Sequence, residues 1–302
     1  MIRRISGWFV LVFILLAVQA AIFAQPAAKP LVLQEMTWTD VRDYVAKNDM
    51  VILPLGSTEQ HGPQLPLGTD FLLAMDISKL ISARTGVVVA PVLLAGYSVY
   101  HSGFPGTLSL KSETVAEVLF ETAQMLMKYG FRRFLIFNYH GGNSLAQQTV
   151  IHRINQETEA IAVAIGVGGP LEGGGPLEGG EDETLMDWHA GVGETSLVLY
   201  LEPQLVHLDR AEKPVMHFTP QMEKLAELAK KSPDINVVWD SLFGVPADTR
   251  KGGSSRELSS NGVWSAGDPK TATREKGQKI VQETVDRVVK FITAWDQATV
   301  RR

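Results

Sequence analysis

Residues 50–70 read MVILPLGSTEQHGPQLPLGTD, an apolar run followed by a loop of Gly, Pro and polar side chains. The apolar run, Met50–Leu55, predicts a buried β-strand. Beyond it, Glu59, His61 and Asp70 fall within a dozen residues of one another. Carboxylates and imidazoles are the ligands of divalent-metal sites, and such sites usually perform hydrolysis. This stretch therefore predicts a strand that ends at a metal site.

Outward from this stretch, apolar runs alternate with amphipathic ones, which is typical of an α/β fold. Strands are predicted over residues 50–55, 87–94, 134–139 and 160–167. Helices are predicted over residues 70–84, 112–129, 144–158, 195–202, 221–231 and 271–295. Pro91 predicts a break within the second strand. Strands separated by helices imply right-handed crossovers and a largely parallel sheet with helices on both faces.

Two groups of ligand-type residues directly follow two of these strands. Glu59 and His61 come after the first strand, and His140 comes after the strand at 134–139. In parallel α/β sheets, ligands bind outside the carboxyl ends of the strands. Glu59 and His61 are two residues apart, so an extended backbone points both side chains to one side. The sequence therefore predicts that these groups meet at one edge of the sheet.

Asp70 begins a predicted helix, where unpaired amide groups keep a carboxylate ionised. An ionised carboxylate can bridge two cations, and two neighbouring cations can deprotonate a shared water. The alternative is that Asp70 is a helix-start charge and His61 a loop histidine packed under Pro63. That alternative explains any one such residue better, whereas the full set favours a metal site.

Two further loops extend this interpretation. The glycines after His140 let the backbone approach a ligand closely, and Asn143 is a predicted helix N-cap. His189 and Glu194 lie on a third loop that leads into an apolar helix. Glu194 is predicted to be a further metal ligand, and His189 a proton donor to a leaving nitrogen. The alternative for Glu194 is that it only opens the helix.

Four residues are predicted to contact a substrate: Ser98, His101, Tyr139 and Asn143. Ser98 and His101 lie in the loop that follows the second strand, where they can line a pocket. Packing within the loop is the alternative role for this pair.

The first 24 residues have the pattern of a signal peptide. Arg3 and Arg4 precede an apolar run, residues 8–23, which ends at Ala24. The sequence therefore predicts an exported protein, either periplasmic or secreted, that leaves the membrane after cleavage. The alternative is an uncleaved N-terminal membrane anchor, because the run is near the lower length limit for a span.

Composition narrows the class of protein further. The chain of 302 residues contains no cysteine, which removes disulfides, thiolate metal sites and cysteine nucleophiles. Loss of Arg3 and Arg4 with the signal takes the formal charge from −5 by two units to −7. The basic residues are scattered, so the chain is not predicted to bind nucleic acid.

Residues 25–302 are long enough for one hydrolase domain with a single large core. The Gly-rich stretch at 166–180 interrupts the order of strands and helices with a tandem repeat of GGPLEG. It is predicted to be a flexible loop, either a lid over the site or a neutral surface insertion.

Several motifs along the chain resemble those of the creatininase (creatinine amidohydrolase) family, from about residue 37 to residue 289. They are PLGSTEQHGP at 54–63 with Asp70, FPGT at 104–107, HGGN at 140–143, HAGVGETS at 189–196, GVW at 262–264, GDP at 267–269, AT at 272–273 and EKG at 275–277.

The resemblance implies a three-layer α/β/α fold and two divalent metal ions per subunit, Zn, Mn or Fe. It implies that Glu59, Asp70 and His140 hold one ion, and that His61 and a bridging Asp70 hold the second. It assigns His189 to proton transfer. It also implies a homo-oligomer, commonly a hexamer built from dimers.

Two departures from the family pattern concern the metal site and the substrate. Creatinine hydrolases carry a glutamate where this chain has Gly142, so Glu194 becomes the candidate ligand for the second metal. Those enzymes also close their site with tryptophans ahead of the His189 position, whereas no Trp occurs here between Trp38 and Trp188. Creatinine is therefore not the expected substrate.

The sequence as a whole predicts an exported, dinuclear amidohydrolase that cleaves a C–N bond in a non-peptide, small or cyclic amide through a metal-bridging hydroxide. One alternative is a metallopeptidase that acts on a short peptide. A second alternative, from another class, is a metal-dependent binding protein without turnover.

Overall fold

The computed structural model describes residues 28–166 and 187–299. The predicted signal peptide, 1–24, lies outside these residues, as does the 166–180 insertion beyond Gly166. Within the two described ranges, no helix combines the length and the apolar character needed to span a membrane.

The central sheet has four strands in the order β2-β1-β3-β4, and each neighbouring pair is parallel. The strands are β1 Met50–Leu55, β2 Val88–Val89, β3 Arg133–Asn138 and β4 Ile161–Gly166. The six residues of β1 pair with those of β3 in unbroken register, from Met50 opposite Arg133 to Leu55 opposite Asn138. The prediction of a largely parallel sheet is confirmed, and β1 and β3 end side by side.

Helices cover both faces of the sheet, so the predicted three-layer α/β/α arrangement is also confirmed. The helices that follow one another along the described chain are α1 Trp38–Val45, α2 Thr69–Thr85, α3 Ser112–Lys128, α4 Ser144–Glu157, α5 Val192–Leu201, α6 Pro220–Ala229, α7 Asn236–Asp240, α8 Ser255–Leu258 and α9 Arg274–Ala298. α2, α5 and α9 pack on one face, and α1, α3 and α4 pack on the other. Alternate residues of β1 enter the two cores, with Ile52 on one side and Val51 and Leu53 on the other.

Two predicted elements are wrong in extent. The second strand was expected over residues 87–94, but β2 contains only Val88 and Val89. Its last link to β1 is the bond from the Ala90 amide to the Ile52 carbonyl, and Pro91 cannot donate another. The terminal helix begins at Arg274 rather than at 271, because the Thr273 side chain caps it by accepting from the Lys276 amide.

A second, two-stranded antiparallel sheet joins β5, Asp187–His189, to β6, Trp264–Ser265. It was not predicted, since both strands are short. It places His189 at the end of a strand rather than in a loop. The Asp187 carboxylate accepts from the amides of Val192 and Gly193 at 3.0 and 2.8 Å, which starts α5 directly after His189.

Candidate metal centre

The candidate site lies where β1 and β3 end. Glu59 and His61 follow β1, and His140 follows β3 by two residues. Gly56 lets the first turn of α2 approach, because a Cβ there would lie 2.5 Å from the carbonyl carbon of Asp70. The turn after each strand and the start of α2 therefore bring their polar side chains together, as the sequence predicts.

Glu59, Asp70 and His140 form the first set of ligand-type groups. Each offers one ligand atom, and these atoms lie within 4.8 Å of one another. His140 Nδ1 lies 3.0 Å from Asp70 Oδ2, and His140 Nε2 lies 3.4 Å from Glu59 Oε2. All three side chains are at most 3% exposed.

His61, Asp70 and Glu194 form the second set, under the same 4.8 Å limit. His61 Nε2 lies 2.9 Å from Asp70 Oδ1 and 3.8 Å from Glu194 Oε2. Glu194 occupies the first turn of α5 and accepts a hydrogen bond from the Ala190 amide. Asp70 therefore belongs to both sets, with a different oxygen directed to each histidine.

A third set contains Glu59, His61 and His189. His189 Nδ1 lies 3.6 Å from Glu59 Oε1, and the ring centroids of His189 and His61 are 4.2 Å apart. His189 is thus close enough to act either as a metal ligand or as a proton carrier.

The Glu59 carboxylate meets the test for a cation site. Both of its oxygens are buried, and neither has a hydrogen-bond donor among the described residues. Ring nitrogens of His101, His140 and His189 approach to 3.2–3.6 Å without hydrogen-bond geometry. A buried carboxylate without donors is strongly destabilised unless positive charge compensates it. Divalent cations fit this donor set of carboxylate oxygens and imidazole nitrogens.

The two shared carboxylates are held in their ionised form. Burial by itself raises the pKa of Glu59, but His101 and His140 outweigh it and lower the pKa to about 2. Burial likewise opposes ionisation of Asp70, yet His61 and His140 hold its pKa well below the usual value. Both groups are therefore ready to bind a cation at neutral pH.

Two histidines hold protons where cations would otherwise compensate these carboxylates. Burial lowers the pKa of His61, but Asp70 and Glu194 outweigh it and raise it to about 10. Burial is outweighed in the same way at His140, where Glu59 and Asp70 raise the pKa to about 9. Without metal, two imidazolium ions therefore neutralise the ionised carboxylates, and cations would replace their protons.

The remaining titratable groups are shifted toward neutrality by burial. Burial lowers the pKa of His101, with Glu59 opposing. Burial also lowers the pKa of His189 to well below its usual value, and His101 and His61 add to the effect. Burial raises the pKa of Glu194 to about 7, with His61 opposing.

Sequence reasoning missed Gln60. Its side-chain nitrogen lies 3.0 Å from His101 Nδ1, 3.1 Å from His189 Nε2 and 3.0 Å from the Gly262 carbonyl. The Ser255 hydroxyl, at the start of α8, also contacts His101 Nδ1. Alternation along an extended segment was the available signal, because it directs Gln60 away from the side shared by Glu59 and His61.

The four predicted substrate contacts occupy different surroundings. Ser98 Oγ lies 3.2 Å from His140 Nε2, and His101 Nε2 lies 3.2 Å from Glu59 Oε1, so both border the ligand sets. The Tyr139 ring packs in the core, 5.7 Å from that of Phe137. Substrate contact by these residues stays a prediction.

Asn143 holds the backbone of the site together. Its amide nitrogen donates to the Gly56 carbonyl at 3.0 Å, and its oxygen accepts from the Tyr97 amide at 3.1 Å. It precedes α4, as predicted, but its side chain makes no capping bond there. Substrate contact by Asn143 likewise stays a prediction.

Gly142 is close to protein atoms rather than to open space. A Cβ at this position would lie 2.5 Å from His140 Nε2 and 2.7 Å from the Tyr100 hydroxyl, and would collide with the Tyr97 carbonyl. The glycine therefore accommodates the two tyrosines, and this backbone has no room for a longer side chain. Its close approach to a ligand, expected from the sequence, is taken by the protein itself.

A parallel α/β fold with buried carboxylates and imidazoles at one sheet edge defines the class of metal-dependent hydrolases. The sequence model of the creatininase family, described as creatinine amidohydrolase, matches residues 34–292. The chain therefore belongs to the creatininase family of amidohydrolases, as its motifs predicted, and is an enzyme that acts on carbon–nitrogen bonds.

Similar proteins have more than one activity by name. A mycofactocin precursor peptide peptidase from Mycobacterium ulcerans (strain Agy99) is 31% identical over 255 residues, covering 81% of this chain and 85% of the relative. A creatinine amidohydrolase from Pseudomonas putida is 30% identical over 281 residues, covering 88% and 97%. A solved structure named "Creatininase Mn" matches with a TM-score of 0.67 and 28% identity, covering 87% of this chain and 98% of the other.

Proposed function

We propose that this protein is a dinuclear, metal-dependent amidohydrolase that cleaves a C–N bond in a small or cyclic amide. The observation that carries the proposal is Asp70, which directs one oxygen to each of two sets of buried ligand-type groups. Glu59, Asp70 and His140 would hold one ion, and His61, Asp70 and Glu194 the other. The ions are Zn, Mn or Fe, and the name "Creatininase Mn" of a similar solved protein supports Mn.

Two divalent ions bound there would polarise the amide carbonyl and lower the pKa of a water. Glu59 and Asp70 contribute the ionised charge that holds them. Glu194, whose pKa burial raises to about 7, completes the second set once it is deprotonated. The buried position of these groups excludes bulk water from the site, which strengthens each electrostatic interaction within it.

His189 moves the proton that amide hydrolysis requires. Its Nε2 lies 2.6 Å from the Gln60 carbonyl, which can only accept, so this nitrogen carries a hydrogen. Its low pKa keeps the ring neutral and leaves Nδ1 as the proton acceptor beside Glu59. Nδ1 can take the proton that the attacking water loses and pass it to the departing nitrogen, which must gain one.

The decisive experiment reconstitutes the mature chain with Mn²⁺ or Zn²⁺ and assays cyclic amides, formamides and short peptides. We expect two ions per chain and an amide turnover that chelation removes. His61→Ala should lose one ion and most turnover, whereas His152→Ala, an exposed histidine on α4, should keep both. Activity that survives chelation and His61→Ala would contradict the proposal.

Cleavage of a short peptide is the second candidate function. It is favoured by the similarity to the mycofactocin precursor peptide peptidase over 81% of this chain. The same panel separates the two candidates, because a peptidase would turn over the peptides and leave the formamides and cyclic amides intact. Two bound ions with no turnover of any amide would instead indicate a metal-dependent binding protein.

Export and oligomerisation are further parts of the proposal. Residues 1–24 are proposed to be removed during export, and N-terminal sequencing of the secreted chain would detect the new end. A homo-oligomer, with the hexamer as the specific assembly, is supported by exposed apolar side chains such as Leu94 and Leu108, 63% and 53% exposed on either side of Thr58. Light scattering would measure its mass, and a monomeric mass would exclude it.

A further inference from the structure

Four aromatic side chains form a connected group beside the metal-ligand sets: Trp188, Trp239, Phe243 and Trp264, called here the aromatic wall. Phe243 lies at its centre, with ring centroids 4.7 Å from Trp188, 4.3 Å from Trp239 and 6.3 Å from Trp264. Trp188 and Trp239 also contact each other at 5.6 Å. The wall therefore joins β5 and β6 to α7 and the turn that follows it.

The wall extends from partly exposed residues to the catalytic histidine. Trp188, Trp239 and Phe243 are partly exposed, whereas Trp264 is 6% exposed. The Trp264 ring lies 5.1 Å from that of His101 and 5.9 Å from that of His189. A group attached to an amide held at the metal-ligand sets can therefore lie along these rings.

Two hydrogen-bond donors within the wall have no partner in the described part of the chain. The indole nitrogens of Trp239 and Trp264 are buried, and no acceptor among residues 28–166 and 187–299 reaches either one. Buried polar groups are nearly always paired, so each of these needs an explanation. A bound molecule that carries an acceptor would supply the missing partner.

The wall also differs from the packing of the two sheet cores. Those cores are built from aliphatic side chains and Phe, many of them without any exposure. Trp instead combines a large flat surface with a polar N–H, and is common where one end of the ring meets a ligand or water. The composition of the wall favours recognition of a ligand over packing alone.

We propose that the aromatic wall binds the organic group next to the scissile bond and makes the enzyme selective for aromatic amides, with heteroaromatic rings preferred. The flat rings recognise the face of the substrate ring, and the Trp239 and Trp264 N–H groups bind an acceptor on it. The inference rests on the proposed amide hydrolysis and names the substrate class for that same site.

Turnover of a matched substrate pair tests the wall. Benzamide and cyclohexanecarboxamide have similar size, but only benzamide carries a flat ring. We expect Phe243→Leu to lower the ratio of kcat/KM for benzamide over cyclohexanecarboxamide by roughly three- to tenfold, the range for aromatic ring pairs. Trp38→Leu, at a tryptophan 76% exposed on α1, should leave the ratio unchanged.

The ratio is independent of how much of each variant is folded, because both substrates are measured on one preparation. A role in packing alone would lower stability and both rates together. An unchanged ratio in Phe243→Leu and Trp239→Leu would overturn the inference, while leaving the proposed amide hydrolysis in place.

Equilibrium binding gives a second readout that does not require turnover. Benzoate, cyclohexanecarboxylate and nicotinate are titrated into the metal-loaded protein by calorimetry. We expect benzoate to bind more tightly than cyclohexanecarboxylate, and nicotinate more tightly than benzoate. Trp264→Phe keeps a ring but loses the N–H, so its preference for nicotinate should fall several-fold.

The two readouts separate the proposals. Selective binding without hydrolysis of any amide would support the wall and overturn the proposed function. Equal binding of benzoate and cyclohexanecarboxylate to the wild-type protein would overturn the wall.

Discussion

The metal-ligand sets and the aromatic wall touch each other but are built in different ways. The ligand sets come from the turns after β1 and β3 and from the first turns of α2 and α5. The wall comes from β5, β6 and the region of α7, all outside the central sheet. His101 and Trp264 meet at the boundary, 5.1 Å apart.

The difference between these regions separates chemistry from recognition. Strand ends in a buried sheet hold ligand groups rigidly, which a metal centre requires. Segments outside the sheet can change without disturbing those ligands, and binding specificity commonly resides in such segments. Substitutions in one region should therefore alter catalysis, and substitutions in the other should alter substrate choice.

The largest effect is expected for Asp70→Asn, because this residue belongs to both ligand sets. Turnover should fall by more than the roughly 10²–10⁴-fold that one proton-transfer residue contributes, since both ions are weakened. Metal analysis should find fewer than two ions per chain. Asp76→Asn, a carboxylate on the same helix but outside both sets, is the matched control and should keep them.

His189→Ala is expected to lower kcat by about 10²–10⁴-fold, the usual contribution of a proton-transfer residue. Its metal content should stay at two ions per chain, because each proposed set is complete without His189. Pre-steady-state kinetics and metal analysis measure these two properties separately. Loss of one ion would instead make His189 a ligand of the third set.

Stability should depend on the sheet core more than on the wall. Phe137 is 0% exposed in β3, so Phe137→Ala should lower the free energy of unfolding by about 3–5 kcal/mol. Phe243 is only partly buried, so Phe243→Ala should cost less. Denaturant unfolding of the metal-free variants tests this order. Equal losses would show that the wall belongs to the main core.

Metal affinity is expected to rise with pH, by about tenfold per unit for each proton displaced. The pKa of His61 is raised to about 10 and that of His140 to about 9, so in the metal-free protein both hold protons at neutral pH. Protons compete with the metal most strongly at low pH, and the dependence should end once the pH exceeds these values. Mn²⁺ titrations at several pH values measure the slope.

His61→Ala should reduce that slope by about one proton, because one competing imidazole is gone. Phe243→Leu, which alters the wall, should leave the slope unchanged. A pH-independent affinity would mean that these two imidazoles hold no protons in the metal-free protein.

Much of the fold was predictable because it depends on local pattern. Apolar runs between amphipathic stretches predicted the strands and main helices, and Gly86 was a correct stop signal for α2, with a left-handed φ of 69°. The short β2 and the sheet formed by β5 and β6 could not be predicted. Two or three residues carry no periodicity, and their pairing depends on distant partners.

The ligand positions in the candidate site were predictable for a related reason. Glu59, His61 and His140 follow strands whose carboxyl ends must share one edge of a parallel sheet, so sequence position alone implied their proximity. Gln60 was visible in the same motif, but its link to His101 and His189 depends on how three separate segments fold together.

The sequence by itself determined the fold class, the family and the chemical types of the ligands, because local patterning and motif spacing carry that information. Only the tertiary structure decided that Asp70 is shared by two ligand sets, that tyrosines fill the space beside Gly142, and that the aromatic wall reaches His189. These facts depend on distances between residues far apart in the chain. Such distances are set by packing on the sheet, which no local pattern specifies.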